Sequence, residues 1–112
     1  MVQVACCWDD GVETDIRLIE LLNNCHAKAT FNLNPGLMYP GTRRTSAWQF
    51  PENPGFVNRV VSLKEAANIY KGFRIASHGY FHANALKVPT KEFVYDATEA
   101  RLILEDLFQT EI

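Results

Sequence analysis

From Val2 to Trp8 the chain is almost continuously apolar, a pattern that predicts a strand buried on both faces, as in a parallel sheet. Asp9, Asp10 and Gly11 end the run. Beyond them Ile16, Leu18, Ile19, Leu21, Leu22 and Cys25 recur at helical spacing, with Thr14 or Asp15 at the cap position and Asn23-Asn24 at the fraying end. Ala27 to Leu33 predicts a second strand, stopped where Asn34-Pro35-Gly36 forbids continuation. Strand, helix and strand in this order make a βαβ unit, which sets the two strands parallel.

Residues 35–61 carry no periodicity. This stretch holds Tyr39, Arg43, Arg44, Trp48, Phe50 and Phe56 among prolines and glycines. A loop of that length is functional or disordered, and its aromatic content excludes disorder. Ser62-Leu63-Lys64-Glu65 then matches a capping box and opens a short helix to about Tyr70. Gly72 ends it, and Phe73 to Ser77 predicts a third strand. After the segment Ser77-His78-Gly79-Tyr80-Phe81-His82 and a polar connection to Pro89, a last helix is expected from Thr90 to Gln109. Phe93, Ala97, Ala100, Leu104, Leu107 and Phe108 set its apolar face.

The alternation predicts an α/β fold of about three βα units, and 112 residues make one domain. With 47% hydrophobic and 21% charged residues the chain can bury a core. A net charge of −2 without a basic run offers nothing to nucleic acid or an anionic membrane, and leaves small neutral or polysaccharide ligands open. No apolar stretch is long enough for a membrane span, and Met1-Val2-Gln3 lacks the charged lead of a signal peptide. Cys6, Cys7 and Cys25 are odd in number, and the adjacent pair points to opposite strand faces. Unpaired cysteines packed in a buried strand, in a reducing cytoplasmic compartment, are the expectation.

The candidate chemistry lies at the strand ends. In a parallel α/β sheet or barrel the functional loops leave the carboxyl ends of the strands. Asp9 and Asp10 leave the first strand there, and His78 and His82 leave the third. Singly these are weak signals, since Asp-Gly is a common turn and a surface histidine is mostly solvated. Together they supply two imidazoles and a carboxylate, a frequent three-ligand set for a catalytic divalent metal with a position left open. Successive side chains at a strand end diverge, so one aspartate can bind the cation while the other accepts a proton from the attacking water.

With these residues in place, the chain resembles the polysaccharide deacetylase family. Trp8-Asp9-Asp10-Gly11 is similar to that family's phenylalanine-Asp-Asp-Gly signature, Lys28-Ala29-Thr30-Phe31 to its second strand, and Ile75-Ala76-Ser77-His78-Gly79-Tyr80-Phe81-His82 to its histidine motif. The resemblance implies the N-terminal half of a distorted (β/α) barrel. It implies Asp9 as catalytic base, and Asp10, His78 and His82 as ligands of a divalent metal, zinc or else cobalt or another ion. The implied reaction is hydrolysis of N- or O-acetyl groups on a carbohydrate, and Trp48 and Phe50 are candidates to stack on the sugar.

Two residues depart from the family pattern: Trp8 replaces phenylalanine, and Gly79 replaces a Ser or Thr that often buttresses the metal site. The larger departure is length. No later arginine, oxyanion donor or acid histidine can be matched, since His26 merely follows the first helix. Half a barrel leaves an unpaired strand edge, so a missing C-terminal half or a second copy is expected to complete it. The alternatives are a non-catalytic module that binds metal or glycan, and a relative acting on another amide. A haloacid dehalogenase-type phosphotransferase is a weaker rival, because that family needs aspartates two apart and aligning Asp10-Gly11 to its motif puts Trp8 at the nucleophile.

Overall fold

Three short parallel strands carry the rest of the chain. The computed structural model describes residues 1–112. In chain order the elements are β1 (Cys7–Asp9), α1 (Asp15–Asn24), β2 (Thr30–Leu33), β3 (Arg44–Thr45), β4 (Arg59–Val60), α2 (Leu63–Ile69), β5 (Arg74–Ser77) and α3 (Thr90–Phe108). The main sheet runs β1-β2-β5, all parallel, with Trp8 beside Phe31 and Phe31 beside Ile75. This is the α/β architecture with a parallel sheet that the alternation predicts.

Because side chains alternate along a strand, Trp8, Phe31 and Ile75 share the face that the helices cover. Phe31 is fully buried at its centre, its ring 5.0 Å from Tyr70, 5.9 Å from Trp8 and edge-on to Phe73 at 5.4 Å. Leu33, Val61, Ala66 and Leu104 close the same core. On the other face Cys7, Asp9 and Arg74 are exposed, and Thr30, Asn32 and Ala76 half-buried.

That asymmetry corrects the first strand. Val2 to Trp8 is not a strand buried on both faces: pairing is confined to Cys7–Asp9, and Val2 and Val4 are 88% and 80% exposed. β1 lies at the sheet edge, where β2 alone offers hydrogen bonds and helices cover one face only. Hydrophobicity alone does not distinguish such an edge from a buried strand. The cysteines are unpaired, but Cys7 and Cys25 are exposed and Cys6 half-buried, so the expected buried packing fails for Cys7.

The helices start and stop largely where expected. α1 ends through a left-handed His26 (φ 52°), with His26 and Ala27 N–H donating to the carbonyls of Asn23 and Leu22 at 3.1 and 2.9 Å. The Ser62–Glu65 capping box forms at the start of α2. α3 buries Ala100 and Leu104 as predicted, whereas Phe93 and Ala97 are exposed and Asp96 is buried in their stead. No helix is long and apolar enough to cross a membrane.

The long connection is built, contrary to its lack of periodicity. β3 and β4 form an antiparallel pair of two residues each, too short to leave a repeat in the sequence. Arg43 anchors the connection to both helix starts: it meets Glu65 through two nitrogens at 2.7 and 3.1 Å and Glu13 at 3.6 Å. Those bonds, with the Ser62 hydroxyl, pull the Glu65 pKa down to about 2. Trp48, Phe50 and Phe56 remain exposed, and the two phenylalanine rings lie 5.8 Å apart.

Candidate metal centre

Asp10 is placed by strand pairing. Its N–H donates to the Asn32 carbonyl at 3.0 Å, continuing the β1–β2 ladder by one step. The backbone then turns left-handed at Asp10 (φ 72°) and Gly11 (φ 63°). Gly11 is needed there on two counts: its φ, and a Cβ that would come within 3.1 Å of Leu33 Cδ2 in the core. The Gly11 carbonyl accepts from Val61 N–H at 2.8 Å, which ties the turn to the end of the long connection.

His78 extends the neighbouring ladder in the same way, its N–H donating to the Leu33 carbonyl at 3.0 Å. The fully buried Asn34 amide donates to the carbonyls of His78 and Gly79. His82 returns in the left-handed region (φ 60°). A left-handed residue other than glycine costs roughly 1–2 kcal/mol, and two of the three candidate ligands carry that strain, as functional positions often do.

The three side chains converge. The Nε2 atoms of His78 and His82 stand 3.0 Å apart, and Asp10 Oδ1 lies 3.7 and 3.8 Å from them. That oxygen is buried and has no hydrogen-bond partner, a costly state for a carboxylate that a cation relieves. Three donors around a tetrahedral zinc would stand about 3.3 Å apart, given bonds of ~2.0–2.1 Å; the observed separations bracket that value. The residues present therefore fit a divalent ion.

Asp9 is turned elsewhere. It is exposed, and its Oδ1 accepts a 2.7 Å hydrogen bond from Asn32 Nδ2 across the β1–β2 pair, leaving Oδ2 without a partner. The cleft that contains His78 and His82, about 500 Å³, runs against α3 at Phe93, Asp96 and Arg101. Trp48 and Phe50 do not line it.

Asp96 is the residue that sequence reasoning missed. Only 6% exposed, its carboxylate accepts the Tyr80 and Phe81 N–H groups at 2.8 and 2.7 Å and so clamps the loop between the two histidines. It also explains the glycine: a Cβ on Gly79 (φ 80°) would overlap Asp96 Oδ2. The signal was present, because Asp96 falls three after Phe93 and four before Ala100, on the apolar stripe. Asp96→Ala should leave the Phe81 N–H unpaired, at about 1–3 kcal/mol, while the Tyr80 N–H keeps the Asp96 main-chain carbonyl at 3.1 Å; zinc should weaken about 10–100-fold. Thermal melting and competitive zinc titration check both; unchanged zinc affinity would show that the clamp does not serve the histidines.

Beneath the turn, buried Asp15 accepts a 2.8 Å hydrogen bond from the Tyr70 hydroxyl. Burial is the main cause that raises the Asp15 pKa to about 6; the Tyr70 bond opposes it and the nearby Asp10 charge adds to it. Burial likewise raises the Tyr70 pKa. The folded state thus binds the Asp15 proton more tightly than the unfolded state, and stability falls as pH rises from about 4 to above 6, by on the order of 3 kcal/mol. Urea unfolding at pH 4 and pH 7 should show this loss in the wild type and not in Asp15→Asn. Parallel pH profiles would contradict it.

A family model described as polysaccharide deacetylase matches residues 2–112. No curated protein sequence matches. Among solved structures, the Streptococcus pyogenes deacetylase PplD in complex with acetate is similar, with a TM-score of 0.71 at 17% identity. The match covers 96% of this chain and 42% of that one, a likeness of fold over part of its length.

Proposed function

This chain belongs to the polysaccharide deacetylase family, and from that premise we propose that it carries the metal- and base-bearing part of a hydrolase that removes N- or O-acetyl groups from a polysaccharide or related carbohydrate. The observation that carries the reading is the convergence of Asp10, His78 and His82 on a point faced by an unpartnered buried carboxylate oxygen. These three residues would hold the divalent ion, zinc by the softness of its imidazole donors, with cobalt or another ion as the alternative. Such an ion supplies Lewis acidity, making water more acidic and polarising an acyl carbonyl.

The remaining work falls to the chain itself. Asn32 fixes Asp9 by Oδ1, so Oδ2 is the atom that takes the proton from the attacking water. Asp96 and Asn34 hold the histidine loop by its backbone, which keeps both imidazoles aimed at one point without engaging their ring nitrogens. Trp48, 68% exposed, and Phe50 offer apolar faces to the sugar from the long connection.

Acetate release from acetylated chito-oligosaccharide in the presence of zinc or cobalt tests the proposal. Metal-stimulated release is the expected result. A folded, metal-loaded protein that releases none would instead be a module that binds metal or glycan without turnover, and one active only on a non-carbohydrate amide would move the substrate class.

A further inference from the structure

A second cavity, of about 530 Å³, shares the loop between the two histidines. Tyr80 and Phe81 form one wall, with Tyr39, Val60 and Leu63 opposite. Tyr80 is fixed against the floor: its carbonyl accepts from Gly36 N–H at 3.0 Å, and its ring fills the space a Gly36 Cβ would need. Arg44 is the one charged residue in the lining.

The three neighbouring arginines differ in their partners. Arg43 faces Glu13 and Glu65, and Arg59 faces Glu13. Arg44 has no carboxylate; its Cζ lies 3.3 Å from the centroid of the Tyr39 ring. Stacking occupies the flat face of a guanidinium and leaves its N–H edge free to donate. Backbone bonds hold both members: Arg44 pairs with Val60 in the β3–β4 ladder, and the Tyr39 carbonyl accepts from Leu63 N–H at 3.1 Å. The result is an uncompensated planar donor at the rim of an apolar slot.

The geometry points to an anion subsite: Arg44, stacked on Tyr39 beside the histidine loop, receives a carboxylate borne by the glycan, so the acetylated substrate of this site is an acidic one. The inference rests on the deacetylase reading for its substrate class. A carboxylate matches the forked N–H edge in two hydrogen bonds, and the C–H face of the sugar that bears it matches the apolar wall.

The test is a titration of the zinc-loaded chain with an acetylated oligosaccharide carrying a free carboxylate, and with its methyl ester. The acid should bind about tenfold more tightly. Arg44→Gln should abolish the preference, Arg44→Lys keep part of it, and high salt shrink it. Equal binding of acid and ester by the wild type, or an undiminished preference in a folded Arg44→Gln, would overturn the subsite. Acetate release measured alongside separates the two readings. Release with no preference for the acid removes the subsite alone, and preference without release supports the subsite while removing the deacetylase.

Discussion

Replacing His78 and His82 together with alanine is expected to strip the protein of stoichiometric zinc and take acetate release to background. The Nε2 atoms, 3.0 Å apart, are two of the three candidate donors, and what remains of the group is Asp10 Oδ1 alone. The loss in affinity should exceed the roughly 100-fold that follows when only an outer hydrogen bond to a ligand is removed. Stability should suffer little. His78 is half-buried and His82 exposed, the loop stays clamped through Asp96, and substitutions of this kind cost about 1 kcal/mol. Elemental analysis after dialysis, read beside a melting curve, distinguishes a lost site from a lost fold. Stoichiometric metal in a folded double variant would place the cation elsewhere and leave the convergence of the three side chains without a function.

The candidate ligands, which the structure brings together, are legible in the sequence because strand ends are. A short apolar run followed by Asp9-Asp10-Gly11, and another followed by His78 and His82, are local patterns, and parallel pairing brings their ends to one side of the sheet whatever the intervening chain does. What holds those residues was less visible. Asn32 reaches Asp9 across a strand pair, and Asp96 reaches the histidine loop from α3, so both depend on register and helix rotation, which residue order does not state. Asp96 could still have been suspected, since a carboxylate on the apolar stripe of a helix must be paired if buried. The hairpin within 35–61 was beyond reach, because strands of two residues leave no period and its anchors, Glu13 and Glu65, lie outside the segment. The first strand erred for a different reason: hydrophobicity from Val2 onward says that a segment can be buried, and only the number of neighbouring strands decides whether it is.

Asp9→Asn should produce the opposite dissociation from the histidine pair: metal and fold retained, turnover lost. The amide keeps the shape of the carboxylate, and its carbonyl oxygen can still accept from Asn32 Nδ2, the one hydrogen bond Asp9 makes. What it cannot do is take a proton, so the rate should fall by about 10²–10⁴, the usual contribution of a positioned general base. Asp9 is also exposed and its carboxylate makes no contact with either imidazole, so zinc content should not change. The two adjacent aspartates thereby become separable in one experiment. Asp10→Asn weakens metal binding first and turnover as a consequence, whereas Asp9→Asn lowers kcat in protein that is still metal-loaded. Loss of zinc from Asp9→Asn would make Asp9 a ligand and reverse the division of labour. Undiminished turnover with zinc retained would show that the proton is taken by another group, and that the Asn32 hydrogen bond serves only to pair the strands.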